Sequence, residues 1–346
     1  MFRVITIEDK QQWQSIISQC DEYDFYHTWD YHKLSQDNNE GKPELLILTV
    51  QDACIALPLL KREVLDASGK ILGYDYTSGY GYVGPVFKGN ITDQMVMDFK
   101  NQFKAHCKAN HIISAFSRLH PTIKQGFLLN KIGEVENNSV TIQIDLTQTL
   151  EEQKKHYRKS NKSEINKLRK NSAIVWSEHT EEDINEFINI YEETMHRVNA
   201  HQRYFFDKTY YNNLFSSTEY KTQLVFVEMD NKRIAGALFV FCKNIIQYHL
   251  AGTRTDYMRI TPMKLLLDEI RLYGTENAYK TLHLGGGLSA SEDDPLFRFK
   301  RGFSKIECEF NTFKYIANKE QYQAISKQLI SNPDKLDSNF FPLYRA

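Results

Sequence analysis

Two long stretches of this chain follow one order of elements, and that repetition limits the fold more than any other feature. In the first, ELLILTV (44–50) and ACIALPLL (53–60) read as paired strands around Gln51 and Asp52. The segment LGYDYTSGYGYVGPVF follows, with strand propensity broken by Gly-rich turns. Val96, Phe99, Phe103 and Cys107 then recur at helical spacing behind a Thr92/Asp93 cap, and HIISAFSRLHP reads as a buried strand ending at a proline. In the second stretch, QLVFVEM (223–229), the turn Asp230-Asn231 and RIAGALFVFC (233–242) form the strand pair. IIQYHLAGT (245–253) is the third strand, and a helix begins near Pro262, where a missing N–H does no harm. Met263, Leu266, Leu267 and Ile270 mark its buried face, and KTLHLGG closes the unit. The two copies are offset by roughly 170 to 180 residues. The expectation is a structural duplication in the α/β class, with mixed sheets: a first domain over 1–150 and a second over 151–346.

A length of 346 residues suits two such cores, and 41% apolar with 13% aromatic residues is enough to fill them. The formal net charge of −1 excludes a chain that is basic along its whole length, so any phosphate-bearing partner is met by a local patch. The five cysteines (Cys20, Cys54, Cys107, Cys242, Cys308) are widely spaced without C-x-x-C, which suits reduced thiols and supplies no metal framework. MFRVITIEDKQQW carries charges where a signal peptide needs an apolar region, and the longest apolar run, Ile234 to Cys242, is far below the roughly 20 residues of a membrane helix. A cytoplasmic protein without a membrane segment is expected.

The local patch lies between the two copies. From Lys154 to Lys170 the chain holds eight Lys/Arg against the single Glu164. A solvated helix face is the ordinary reading of a charge run. Such faces usually mix signs, however, and a run of one sign repels itself unless an anion compensates it. A basic helix over about 152–171 that meets an anion, most simply phosphate groups, is therefore expected.

The second candidate is LHLGGGLSASEDDPLFRFKRGF (282–303). Gly285, Gly286 and Gly287 follow a strand, and glycines there permit close backbone approach and positive φ. The string lacks both G-x-G-x-x-G and G-x-x-x-x-G-K-[ST], so neither a dinucleotide fingerprint nor a P-loop is supported. SASEDDP supplies a polar turn and a cap, and a short helix after it would bring Phe299, Lys300 and Phe303 near one another. An ammonium among aromatic rings loses water, which strengthens its field on a nearby oxyanion. Arg118 and His120 sit at a strand end, where α/β proteins tend to place functional groups. His196, His249 and His283 read as satisfied core residues. No Ser/His/Asp set, carboxylate pair or metal-ligand spacing stands out.

LHLGGG, a short acidic spacer and FRFKRGFS together resemble the C-terminal signature of the FemABX-type transferases, the peptidoglycan bridge aminoacyltransferases and their relatives. YDYTSGYGYVGPVF, FSRLHP, IQIDL (142–146) and RYFFDKTYYNNLF (203–215) agree with it, over about residues 20 to 315. The resemblance implies two tandem GNAT-like domains without the long helical arm of larger members. It implies transfer of an aminoacyl group, from aminoacyl-tRNA, to an amine of a nucleotide- or lipid-linked cell-envelope precursor, either peptidoglycan or polysaccharide, at the inner face of the membrane. By similarity, Phe299 and Lys300 match the Phe-Lys of the transfer centre, Tyr248 the active-site tyrosine, Arg158, Lys162 and Lys167 the phosphate contacts of the basic helix, and Tyr80, Tyr82 and Arg118 the acceptor side. No permanently bound cofactor and no metal is implied.

Two other readings stay open: an acyl-CoA-dependent GNAT N-acyltransferase on an amino sugar or peptide, and a non-catalytic module that binds a precursor. GNAT enzymes hold the CoA pyrophosphate with [QR]-x-x-G-x-[GA] at a helix N-terminus. The corresponding stretch, Arg254 to Pro262, has no glycine and carries Asp256, which would repel a phosphate.

Overall fold

A computed structural model describes residues 1–289, 291–330 and 340–346. The chain divides into two units, residues 1–138 with 309–346, and residues 139–308.

The first unit is built on β1 (Phe2–Thr6), β2 (Lys42–Val50), β3 (Ala53–Leu65), β4 (Ile71–Thr77), β5 (Val86–Lys88) and β6 (Ile112–Arg118). The second is built on β7 (Glu134–Asp145), β8 (Ala173–Trp176), β9 (Lys221–Met229), β10 (Lys232–Cys242), β11 (Ile245–Thr253) and β12 (Thr281–Gly285). A last strand, β13 (Ile306–Ile316), returns to the first unit, where Thr312–Ile316 pairs antiparallel with β6. Within the first unit the strand order is β1-β2-β3-β4-β6-β13, with β5 on β3, and within the second it is β7-β12-β11-β10-β9-β8. Each holds one parallel neighbour pair, β4 with β6 and β11 with β12. The duplicated plan is thus present: an antiparallel hairpin, a third strand, a helix and a parallel closing strand. Each closing strand is flanked by an antiparallel strand reached from the other copy's end of the chain. That exchange moves the division of the chain from 150 to 138/139 and carries 309–346 back to the first unit.

Local chemistry explains the elements. Asp230 and Asn231 both adopt left-handed φ (51° and 57°), the conformation a two-residue hairpin needs, and Asn and Asp tolerate it. Thr92 caps the helix Asp93–Ala109 by accepting from the Met95 N–H at 3.2 Å. Val96, Phe99, Phe103 and Cys107 on that helix are buried against Leu57, Leu59, Tyr76 and Ala115 of the sheet. The helix Met263–Glu276 likewise buries Met263, Leu266, Leu267 and Ile270 against Phe239, Ile246, Leu282 and Leu284. Each fully buried side chain of this size contributes about 1.5–3 kcal/mol, so both crossover helices are held by their apolar stripe.

The basic segment differs from the single helix expected. It forms two helices, Leu150–Lys155 and Lys159–Asn171, broken at residues 156–158. Tyr157 is the reason: its ring is buried edge-on to Phe303 (centroids 5.1 Å) and its hydroxyl donates to Asp268 at 3.0 Å. The chain dips inward to seat it, and the Arg158 N–H donates to the Gly302 carbonyl at 2.9 Å before the second helix starts. No helix among the described residues is long and apolar enough to cross a membrane.

Candidate functional site

The parallel pair β11 and β12 is in register only from Ile245 to Gln247, against Thr281 to His283. Beyond Gln247 the two strands are no longer paired. Tyr248 continues one of them and Gly285–Gly287 the other, and Lys300 stands where they part.

Asp294 shapes the glycine side. Its carboxylate accepts from the N–H groups of Leu288 and Ser289 (2.9 Å each), from the Ser289 hydroxyl (3.2 Å) and from the Phe297 N–H (2.9 Å). It thus caps the short helix Pro295–Lys300 and folds the loop back on it. Burial raises the Asp294 pKa, but these hydrogen bonds outweigh it and hold the carboxyl below its usual range. Gly285 needs its left-handed φ of 76° for the turn. A Cβ on Gly287 would come within 2.7 Å of the Asp294 carboxylate, so the loop closes only over glycine. Asp294→Ala should destabilise the protein by about 1–2 kcal/mol, as lost caps do. Amide hydrogen exchange at Leu288 and Ser289 should quicken at the same time; unchanged exchange there would remove Asp294 as the organiser of the loop.

Lys300 is 7% exposed. Its Nζ donates to the Gly286 carbonyl at 2.7 Å and lies 5.8 Å from the centre of the Tyr248 ring. Burial lowers its pKa to about 7, with the Asp294 charge opposing the shift. Near neutral pH the group is therefore divided between ammonium and amine. The aromatic face next to the ammonium is Tyr248, where the sequence suggested the phenylalanines. Phe299 instead packs on the core, its ring 5.5 Å from Phe303. Tyr248 stacks on Phe239 (5.5 Å), and burial raises its pKa.

The basic helix joins this centre through one atom. The Gly302 carbonyl, two residues past Lys300, accepts both the Arg158 N–H (2.9 Å) and the Asn161 side chain (3.0 Å). Asn161, Ile165 and Leu168 face inward, while Arg158, Lys162 and Lys167 are exposed. Arg169 is committed elsewhere, to Asp268 at 2.6 Å. Glu164, the one acid of the run, accepts from the Thr261 hydroxyl (2.8 Å) and pairs with Lys264 at the start of the helix Met263–Glu276.

Tyr80, Tyr82 and Arg118 belong to the first unit, at the C-terminal ends of β4 and β6. The Arg118 N–H donates to Ser78 Oγ at 3.2 Å, and the guanidinium lies 5.4 Å from the Phe116 ring. Tyr82 meets Tyr26, His120 and Phe310 edge-on. The Tyr80 N–H reaches Glu40 at 3.4 Å, and burial raises the Glu40 pKa. In the second unit, Tyr248 and Gly286 are the ones brought together around Lys300 Nζ, and Phe299 is not.

The histidines divide. His283 is buried between Gln247 (2.7 Å from Nδ1) and Thr141 (2.9 Å from Nε2), and His249 meets the Tyr210 hydroxyl at 2.8 Å. Burial lowers the His249 pKa to about 3, so its ring is neutral, but His249 is half-buried and not in the core where it was expected. His196, expected in the core, is exposed on the last turn of the helix Glu181–Arg197, its ring 4.9 Å from Phe205. His120 is buried 3.1 Å from the Asp24 carboxylate. Sequence reasoning passed over the buried set Gln153, Tyr157, Asp268 and Arg271. Arg271 donates to Asp268 (2.8 Å) and to Gln153 (3.0 Å). An arginine and an aspartate spaced i,i+3 on an otherwise apolar helix face was the available signal. Among the described residues, no group of three or more His, Cys, Asp or Glu is placed to hold a metal ion.

Comparison with known proteins agrees with this architecture. Residues 155–301 match the family described as Acetyltransferase (GNAT) domain. The solved structure of FemX is similar over 94% of this chain and 99% of its own, at 14% identity and a TM-score of 0.73. The fold is FemABX-like, and the GNAT match lies within the second of its two units. A conserved protein of unknown function from Bacteroides thetaiotaomicron VPI-5482 matches the fold of this chain at TM-score 0.58, with 11% identity, 91% of this chain and 99% of that one. A C-terminal DUF2156 domain from Agrobacterium fabrum does so at TM-score 0.57, with 14% identity, 92% of this chain and 95% of that one. No curated protein matches the chain by sequence.

Proposed function

We infer that this chain is a FemABX-like acyltransferase that moves an aminoacyl group from aminoacyl-tRNA to an amine of a cell-envelope precursor. The observation that carries the reading is Lys300, a buried cation beside the Gly286 carbonyl and the Tyr248 ring where β11 and β12 part. In the reaction, the neutral acceptor amine attacks the donor carbonyl. The C–O bond to the tRNA ribose breaks after the tetrahedral stage, and the Lys300 ammonium stabilises the oxyanion in between. Alignment of amine and ester supplies much of the remaining acceleration.

Support for tRNA over CoA as donor comes from two features. Arg158, Lys162 and Lys167 present exposed charge on a helix anchored at Gly302. The stretch Arg254 to Pro262, which leads into the helix Met263–Glu276, has no glycine to let a pyrophosphate approach the backbone. The GNAT family match over 155–301 favours the second reading, an acyl-CoA donor, and one experiment separates them. Thermal shift with charged tRNA, CoA thioesters and nucleotide-linked envelope precursors should give a rise with tRNA and with a precursor, by mass action. The tRNA affinity should fall steeply with salt, and replacing Arg158, Lys162 and Lys167 by Ala should flatten that dependence. A rise with CoA thioesters alone would transfer the assignment to the second reading, and a rise with precursor but no turnover would leave a binding module.

A further inference from the structure

The first unit buries a polar network that the transfer chemistry does not use. Asp24, His27, His120 and Gln125 are each at most 2% exposed, and two of them bond to the loop that carries Tyr80 and Tyr82. His27 Nδ1 accepts the Asp24 N–H at 3.0 Å, so Nε2 carries the proton and donates to the Val83 carbonyl at 2.7 Å. Burial first, and His120 second, lower the His27 pKa to about 4, so the ring holds a single proton near neutral pH. Gln125 donates to the same carbonyl at 2.8 Å and accepts the His120 N–H at 2.6 Å. His120 Nδ1 accepts the Thr122 N–H at 3.3 Å, which turns Nε2 to the Asp24 carboxylate at 3.1 Å. Two buried donors from separate segments thus hold Val83 inward. On either side of it, the Tyr31 hydroxyl donates to the Tyr80 carbonyl at 2.7 Å, and the Gly84 N–H donates to Ser117 Oγ at 3.2 Å. The loop fits this base closely. A Cβ on Gly81 (φ 93°) would stand 2.2 Å from the Tyr26 ring, and one on Gly84 (φ 69°) 2.1 Å from the Gln125 amide. Between these anchors Tyr80 and Tyr82 stay half-exposed.

We propose that His27, Gln125 and Tyr31 are positioning residues that hold Tyr80 and Tyr82 ready for the acceptor precursor, so that acceptor affinity depends on groups that never touch it. The proposal rests on the transfer reaction inferred above, with these two tyrosines on its acceptor side. An apolar base would bury the underside of the loop equally well. A network in which each buried polar group has its partner instead admits one arrangement, because any other leaves a donor or acceptor unpaired. Tyrosines already held in one place lose little freedom when a ligand covers them, and that smaller entropic cost appears as affinity for the acceptor. Arg158, Lys162 and Lys167, the donor side of the same reading, stand on the second unit, so donor affinity is independent of the network.

The test reads the loop and the acceptor separately, in the full chain. In Tyr31→Phe and in Gln125→Met, amide hydrogen exchange at Tyr80 and Gly84 should quicken at least about 10-fold, with the helix Asp93–Ala109 unchanged. Calorimetry then gives the Kd for a UDP-linked muramoyl peptide or a UDP-linked amino sugar, whichever the unmodified chain binds. That Kd should rise about 10-fold or more in both variants and in Tyr82→Leu, while the Kd for charged tRNA stays within about twofold. His27→Gln still presents an N–H to the Val83 carbonyl and should bind like the unmodified chain, whereas His27→Leu should not. Tyr31→Phe removes one hydroxyl, so the result does not depend on the larger substitutions folding. If the unmodified chain binds neither precursor, or Tyr82→Leu binds as tightly as it does, the acceptor reading falls and the proposal with it. If Tyr82→Leu weakens binding but Tyr31→Phe and Gln125→Met do not, or if their loop exchange is unchanged, the proposal alone is overturned.

Discussion

Lys300→Ala should lower kcat by at least about 10-fold, and by as much as about 10³, the range seen when an oxyanion donor is removed. KM for either substrate should change little, because the ammonium acts on charge that develops only in the transition state. The pH profile carries the sharper information. With a pKa of about 7, the required ammonium is lost as pH rises through neutrality, so activity should fall on the alkaline side of about 7. A fall on the acid side instead would make the neutral amine the active form and Lys300 a base. The same residue weighs on stability with a known sign. The unfolded chain keeps this proton to about pH 10.4, whereas the folded protein releases it near 7. Between those values the unfolded state binds more protons, so Lys300 makes stability rise with pH there and imposes its full penalty below 7. Lys300→Met should therefore raise Tm at pH 7 while abolishing turnover, with the gain shrinking as pH approaches about 10. A variant that loses activity and stability together would count against the buried-cation reading.

Asp268→Ala should be the most destabilising single change in the second unit. Asp268 accepts from Tyr157, Arg169 and Arg271, and Arg271 has no exposed surface. Burial raises the Asp268 pKa, but the charge of Arg271 and the donors around it outweigh that effect and lower it. Removing the carboxylate leaves a guanidinium buried without its counter-charge, at a cost of about 3–5 kcal/mol. For a unit of this size the fall in Tm should exceed about 6 °C by calorimetry. Replacing both residues by apolar ones, Asp268→Leu with Arg271→Met, should recover much of the loss, since a buried pair is often no better than well-packed apolar side chains. A small effect of Asp268→Ala, with the pair equally destabilised, would assign the stability to packing alone. The single variant should also loosen the basic segment, because Tyr157 and Arg169 reach the helix Met263–Glu276 through this carboxylate. Weaker tRNA binding together with the loss of stability would tie the two roles.

How much of this was legible beforehand depended on range. The duplicated order came from signals a few residues long: the Asp230-Asn231 turn, the Thr92 cap, the apolar stripe Met263, Leu266, Leu267, Ile270. Such signals survive in a single sequence because the physics behind them is local. The break at Tyr157 was not legible, since helix propensity continues through KKHYRKSNK and only a distant partner, Asp268, draws the ring inward. The same reason hid the commitments of Arg169 and Glu164, which look like members of a charge run until the helix opposite them is in place. His196 was misjudged because it lies on the exposed last turn of its helix, where Val198 beside it is exposed as well.

The sequence by itself determined two copies of a mixed α/β plan, a basic segment between them, and a glycine turn followed by Phe299 and Lys300. Hydrophobic period, caps and turn residues are enough for that. Tertiary structure decided the exchange of the flanking strands, the identity of the aromatic beside Lys300, and the protonation of Lys300 itself. An ammonium keeps its proton in water. It loses it near pH 7 only after burial beside the Tyr248 ring and the Gly286 carbonyl has removed that water, and no stretch of sequence around FRFKRGF contains those partners.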